Sequence, residues 1–331
     1  MMQENDDLNL LAEVASLYYE ENYTQEQIAK VIGVSRSGVS RLLTRSREMG
    51  LVDIYVHHTL RISAPLRNAL VELFGLQDAQ VLLGTAPAEL ILSDVGALAA
   101  RYVDRRIQET QADGEKPIRT IGISWGVSLH EVVRALRPRR RLPLHLVQLD
   151  GSVDTFCGPD VDAPKIVRDL AEAYGAEKSY YLHAPLLVAD GQVREGLLKE
   201  PGLHRTFQMM KQMDMALVGI GGAYPTTSSL IRMGGLDEDV LQELYDQEAV
   251  GEICGSFFTL EGKLCSSNVL ERMIVVPFDV LRSVPLVIAV AAGEEKARAI
   301  VGALRTGAIN VLVTDELCAR AVIQLVTERV E

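Results

Sequence analysis

Apolar residues in the first fifty positions recur at helical spacing three times in close succession. Residues Leu8 to Glu21 carry Leu11, Val14, Ala15 and Tyr18 on one face and predict a first helix. A second begins at Thr24, where Thr24-Gln25-Glu26-Gln27 fits a capping box, and continues through Ile28, Ala29 and Ile32 to Gly33. Ser35 is a good N-cap for a third helix that runs to about Met49 and stops at Gly50. Residues 51–56 then alternate in their second half and predict a strand. After a short amphipathic helix from Ala64 to Leu76, opened by Pro65 and read as a linker, the pattern changes. Apolar runs near 79–83, 118–123, 144–149, 214–220, 285–291 and 309–313 predict strands. Helical stretches near 89–110, 127–136, 163–174, 236–247, 294–305 and 315–328 lie between them. Such alternation implies a parallel, helix-covered α/β sheet. The fold class expected is therefore α/β with a helical N-terminal domain, residues 1–60, ahead of a larger domain, residues 61–331.

The spacing within residues 25–44 narrows the reading of the first domain. A helix-turn-helix needs a small residue where its helices touch, a turn residue tolerant of positive φ, and apolar residues that lock the second helix. Ala29, Gly33 and the set Ile28, Val34, Val39 and Leu42 fill these roles. Residues 35–47 hold Arg36, Arg41, Arg45 and Arg47 with no acid, a local charge of +4. On a helical wheel Arg36, Ser37, Ser40, Arg41, Thr44 and Arg45 oppose Val39, Leu42 and Leu43. That face has the chemistry to enter a DNA major groove, with Thr24, Gln25 and Ser35 at the helix starts as further contacts. The strand at 51–56 would begin a wing. The alternative is a three-helix packing unit whose basic face is only solvated.

Ligands of open α/β sheets bind beyond the carboxyl ends of the strands. One such end, Gly122-Ile123-Ser124-Trp125-Gly126-Val127-Ser128, opens a helix, where amides and hydroxyls suit a phosphate or a hydroxyl. It reads equally as a tight turn with Trp125 in the core. Other ends are Gln148-Leu149-Asp150, Gly219-Ile220-Gly221-Gly222, and Ala292-Gly293 followed by Lys296, whose ammonium suits a phosphate or plain solvent. The third is not a dinucleotide fingerprint, because Tyr224 stands at its sixth position. Glu252 and Glu261 suit sugar hydroxyls, or an exposed hairpin. Asp315 reads as a helix cap.

Two common enzyme motifs are missing: the sequence has no Walker A loop and no H-E-x-x-H. The four cysteines, Cys157, Cys254, Cys265 and Cys318, have no metal-ligand spacing, so neither a metal nor another cofactor is expected. Scattered thiols fit a reducing cytoplasm. The acidic start of the chain is not read as a signal peptide, and the longest apolar run, Leu286 to Ala292, is too short for a membrane span.

These segments, in this order, resemble the SorC family of bacterial sugar-responsive transcriptional regulators. The resemblance is carried by the helix-turn-helix, Gly122-Ile-Ser-Trp-Gly126 with Ser128, and Val147-Gln148-Leu149. It continues through Ala216 to Gly221, Ala249 to Gly255, Ala292-Gly293 with Lys296, and Ala308 to Glu316. It covers nearly the whole chain. It implies an effector domain with the fold of ribose-5-phosphate isomerase and glucosamine-6-phosphate deaminase, Rossmann-like and without catalysis. It further implies a phosphorylated sugar, free sugar or polyol as effector, operator DNA as partner, and a homo-oligomer, dimer or tetramer. The Ser124–Ser128 loop matches the family's phosphate-site loop, and Glu252, Glu261 and Lys296 fall in segments that line its sugar pocket. The sequence departs from the family at Ser128, often Thr, at Thr259, often Asp, and at Asp150, where a neutral residue is usual and a carboxylate points toward a neutral polyol. The rival is a sugar-phosphate isomerase or deaminase with an N-terminal interaction module, which would need an acid and a base such as Glu252 or Glu261 with Lys296.

Charge refines the picture. The 331 residues hold 33 Lys+Arg and 45 Asp+Glu, net −12, which excludes a protein basic all over. The +4 of residues 35–47 is local, so DNA contact is expected to be confined to that helix.

Overall fold

The computed structural model describes residues 2–52, 60–84, 88–112, 116–138, 140–152, 162–224, 227–232, 236, 238–266 and 269–328. The chain divides into two units, Met1–Thr59 and Leu60–Glu331. The first holds α1 (Met2–Tyr19), α2 (Gln25–Ile32) and α3 (Arg36–Glu48). Both arms of the capping box form: Thr24 Oγ1 accepts from the Gln27 amide, and the Gln27 side chain accepts from the Thr24 amide. Gly33 ends α2 at φ 71°, a conformation costly for any residue with a Cβ, and its N–H bonds the Ala29 carbonyl. Val14, Ile28, Val39 and Leu43 make the core, with Leu42 packed against it. Val34 departs from its expected locking role: it sits just past the turn glycine and is 39% exposed. Ser46 does locking work instead. It is fully buried, and its hydroxyl lies 3.0 Å from the Leu11 carbonyl of α1 and 2.9 Å from that of Leu42. Residues 53–56 of the expected wing strand lie outside the described residues.

The second unit opens with α4 (Ala64–Phe74), β1 (Asp78–Leu82), α5 (Ala88–Ala112), β2 (Thr120–Ile123), α6 (Val127–Ala135), β3 (His145–Gln148), α7 (Ala163–Tyr174) and β4 (Lys178–Tyr180). It continues with α8 (Gly191–Leu198), α9 (Pro201–Met210), β5 (Met215–Gly219), β6 (Gly221–Gly222), α10 (Ser229–Arg232), α11 (Glu238–Asp246), β7 (Ala249–Ile253) and β8 (Ser256–Thr259). It closes with α12 (Phe278–Arg282), β9 (Leu286–Val290), α13 (Ala297–Arg305), β10 (Val311–Asp315) and α14 (Glu316–Thr327).

Seven strands form one sheet in the order β1-β10-β9-β5-β2-β3-β4, each neighbouring pair parallel. Its central strands are apolar on both faces because both faces are covered. Met215, Leu217, Ile288 and Val290 point to one core with α5, α6 and α7, while Ala216, Val218, Val287 and Ala289 point to the other with α4, α9, α13 and α14. A smaller antiparallel sheet, β6-β7-β8, lies on α13. There Gly251 admits the close approach: a Cβ on it would stand 2.7 Å from Ala299 Cβ. From β2 the chain winds through β3 to β4 on one side; from β5 it winds through β9 to β10 on the other. The winding therefore reverses between β2 and β5, and the sheet opens a crevice at their carboxyl ends. Among the described residues no helix is long and apolar enough to cross a membrane.

Candidate functional site

That crevice is a cavity of about 290 Å³. β2 delivers Ser124, Trp125, Gly126 and Ser128 to one wall, and the end of β5 with β6 delivers Gly219, Ile220 and Gly221 to the next. Gly126 is the N-cap of α6 at φ 125° and ψ 165°, a region open to glycine alone, and no side chain caps the helix. The first backbone bond of this turn is His130 N–H to the Gly126 carbonyl, so the amides of Val127, Ser128 and Leu129, residues that line the cavity, lie outside the helix's own ladder. Trp125 packs on both the main-sheet core and the small-sheet core, joining the two readings of this loop.

The adjoining wall is acidic. Glu252 on β7 accepts from the Gly255 amide at 2.9 Å through Oε2. Burial raises its pKa, opposed by that amide and by the Lys296 ammonium. Lys296, on the 3-10 turn Glu294–Lys296, donates from Nζ to the Ile220 carbonyl at 2.7 Å. Between Glu252 and Ser124 stand Cys254 and Gly255, the two-residue turn joining β7 to β8, at φ 48° and 72°. Burial pushes the Cys254 thiol well above its usual range, so it is a neutral wall element.

Asp150 lies behind this surface, 1% exposed. Its Oδ2 accepts a short hydrogen bond from Ser124 Oγ. Burial raises its pKa to about 7, the hydrogen bond from Ser124 opposes the rise, and the charge of Glu252 adds to it. Oδ1 is buried and makes no hydrogen bond of ordinary geometry among the described residues. Gln148 holds this corner from below, its Nε2 donating to the Asp150 carbonyl at 2.6 Å and its Oε1 accepting from the Leu182 amide.

Of the expected effector residues, Ser124, Trp125, Gly126, Ser128, Gly221, Glu252 and Lys296 line the cavity. Asp150 and Gln148 support it from behind. Three expectations require correction. Gly122 faces the core, where a Cβ would collide with the Met213 sulfur and Leu149. Gly222 does not reach the cavity; it leaves room for Thr227, whose Oγ1 would stand 1.9 Å from a Cβ there. Glu261 lies on the exposed turn after β8, near Thr259, and does not line the cavity. Gly221 has a spatial reason of its own: it pairs with Glu252, whose Oε1 would meet its Cβ. Thr227, Glu295, Leu186 and Leu230 also line the cavity and carry no local sequence signal. Cys254-Gly255 did carry one, a two-residue turn between apolar alternations. Asp315 caps α14 as expected, accepting from Cys318 N–H at 3.0 Å, and its other oxygen accepts from Gly293 N–H at 2.7 Å.

In the first unit Arg36, Ser37, Ser40, Arg41, Thr44 and Arg45 are all exposed on α3. Ser35 Oγ caps α3 through the Gly38 amide and lies 2.9 Å from Ser37 Oγ; Thr44 Oγ1 donates to the Ser40 carbonyl. Thr24 likewise caps α2, so the hydroxyls of Thr24 and Ser35 set helix starts first. Tyr23 and Arg36 border one recess with Thr24 and Gln25, and Tyr23 was not among the expected contacts.

Comparison with known proteins gives matches in both parts of the chain. Residues 59–324 match the family described as "Putative sugar-binding domain", and residues 12–48 match sigma-70 region 4. The chain is 32% identical over 315 residues to the deoxyribonucleoside regulator of Bacillus subtilis, covering 95% of this chain and 97% of that one. It is 30% identical over 336 residues to the sorbitol operon regulator of Klebsiella pneumoniae, covering 98% and 100%. The crystal structure of the full-length sorbitol operon regulator SorC from Klebsiella pneumoniae superposes with a TM-score of 0.72 at 29% identity, over 96% of this chain and 99% of that one.

Proposed function

This chain belongs to the SorC family of sugar-responsive, DNA-binding transcriptional regulators, and on that premise we propose how its residues divide the work. Residues 1–60 bind operator DNA through α3, with Arg36, Ser37, Ser40, Arg41, Thr44 and Arg45 toward the groove and Thr24, Gln25 and Ser35 at the helix starts. Residues 61–331 bind a sugar, polyol or sugar phosphate in the crevice between β2 and β5. The observation that carries this reading is the cavity at the reversal of the sheet. It has helix amides and Ser128 on one side and Glu252 with Lys296 on the other. Such a wall offers donors to an anionic group and acceptors to hydroxyls.

The regulator works as a homo-oligomer, a dimer or tetramer, because operator half-sites are read by paired recognition helices. It acts in the cytoplasm, where its operator lies and where the buried thiols of Cys254, Cys265 and Cys318 stay reduced. The effector changes operator affinity only by its unequal affinity for two quaternary arrangements. The enzyme alternative has no support: the relatives are regulators, and Glu252 and Lys296 face each other as wall residues.

A thermal-shift screen of pentose and hexose phosphates, free sugars and polyols tests the effector class, since a ligand of the native state raises its melting temperature. A gel shift with the protein's own promoter region tests the other half. Arg36→Ala and Arg41→Ala should each weaken that binding by about tenfold or more, on the scale of about 1–3 kcal/mol per base-reading side chain. Unchanged binding would remove α3 from the groove.

A further inference from the structure

A serine hydroxyl has one proton to donate and two lone pairs to accept with. Ser124 spends its proton on Asp150 Oδ2. An ionised carboxylate only accepts, so Ser124 has only lone pairs left for the cavity. Its surroundings point the same way. Glu252 is an acceptor on the neighbouring stretch of wall, with Oε2 already bonded to the Gly255 amide. The Cys254 thiol is engaged by Asp150 and by Ser124, and the Trp125 amide bonds Asp150, so neither adds a donor beside Ser124. Lys296, the cation of this wall, faces Glu252 and bonds the Ile220 carbonyl. Asp150 itself is buried behind Ser124 and Cys254, so a ligand meets it only through them.

Resting on the effector-site reading above, we propose that Asp150 is a specificity-determining residue: it fixes Ser124 as a hydrogen-bond acceptor, so that this wall takes a hydroxyl-bearing carbon of the effector and turns a phosphate group away. A sugar or polyol hydroxyl donates to Ser124 Oγ and satisfies it. A sugar-phosphate dianion has acceptors only, and inorganic phosphate at pH 8 has one hydroxyl against three acceptor oxygens, so acceptor would largely meet acceptor beside two carboxylates. If the effector carries a phosphate, that group is directed to the start of α6 and Ser128. Ser124, at the end of β2, and Ser128, in the first turn of α6, thus read different groups of the ligand.

The test uses the full-length protein at pH 8, with sorbitol, sorbitol 6-phosphate, ribose 5-phosphate and inorganic phosphate as probes. Binding is read by calorimetry and melting temperature. Asp150→Asn is close to isosteric, and its amide can donate to Ser124 and release the serine proton into the cavity. The variant should bind whichever sugar or polyol probe the wild type binds about tenfold or more weakly, the scale of a hydrogen bond at a charged site. It should bind inorganic phosphate several-fold more tightly. A variant that keeps the sugar affinity, or that loses both probes together as a merely structural defect would, overturns the proposal.

A ligand-free arm follows the Asp150 carboxyl by carbon-13 NMR. Its midpoint should lie near 7 in the wild type and rise in Ser124→Ala, because the donor to the ionised form is gone. A midpoint that stays or falls overturns the proposal without any ligand. If none of the probes shifts the wild-type melting temperature, the effector class proposed above fails, and the NMR arm alone decides whether Ser124 donates to Asp150.

Discussion

Asp150 contributes a pH dependence to the stability of the ligand-free protein. Its folded pKa of about 7 stands above the ordinary carboxylate value of 3.8, so the folded state holds this proton longer than the unfolded chain. The Asp150 contribution is therefore most favourable below pH 4, is lost progressively as pH rises from about 4 to about 7, and is flat above that. Asp150→Asn should remove this slope and raise stability at pH 8 by a few kcal/mol, on the scale of about 1.4 kcal/mol per pKa unit. Melting temperature measured against pH for both proteins checks this, and parallel curves would contradict it. Lys296 acts differently. Lys296→Ala removes the bond to the Ile220 carbonyl and takes from Glu252 the cation that faces it. Effector affinity should fall by about tenfold or more, the scale of one charged hydrogen bond, while the melting temperature falls only modestly. Titration calorimetry with the best thermal-shift hit measures it.

Asp315 joins two elements. One oxygen caps α14 through Cys318 N–H and the other holds Gly293 N–H, whose loop carries Glu295 and Lys296 to the cavity. Asp315→Ala should destabilise the protein by about 1–2 kcal/mol as a lost cap. It should also weaken effector binding, which an ordinary cap at a remote helix would not do. Ser46 joins α1 to α3, and Ser46→Leu should unfold the first unit, because a side chain several atoms larger must enter a site that is 0% exposed. Loss of operator binding with the second unit's melting transition intact would show it. Elements buried on both faces were the legible ones: β2, β5, β9 and β10 are short apolar runs, and α7 follows its periodicity from Ala163 to Tyr174. β4 was not legible, since Lys178-Ser179-Tyr180 is a polar edge strand. β6 is two glycines and has no pattern to read. The site was legible where backbone geometry writes itself into glycines and hydroxyls, as at Ser124–Ser128. It was illegible where folding alone brings a residue in, as with Thr227, or takes one away, as with Glu261.

The whole chain carries −12, yet α3 carries its arginines on an exposed face. DNA contact restricted to that face predicts a shallow salt dependence. Operator affinity against salt should show a logarithmic slope of only a few phosphate contacts per recognition helix, at about 0.9 per phosphate. A steep slope, typical of a broad basic footprint, would contradict it. The order of the main sheet has a further consequence. β1, the first strand of the second unit, pairs in the main sheet with β10, the last, with Asp78 beside Val311 and Leu82 beside Asp315. On the ribosome, then, the helix-turn-helix emerges and can fold on local contacts long before the main sheet of the second unit can close. A message broken before codon 311 yields a chain with a finished DNA reader, a β1 cut off from the main sheet and a raw edge on β9. Such a product should aggregate or be degraded rather than occupy the operator, so the fold ties the right to bind DNA to having been translated to the end.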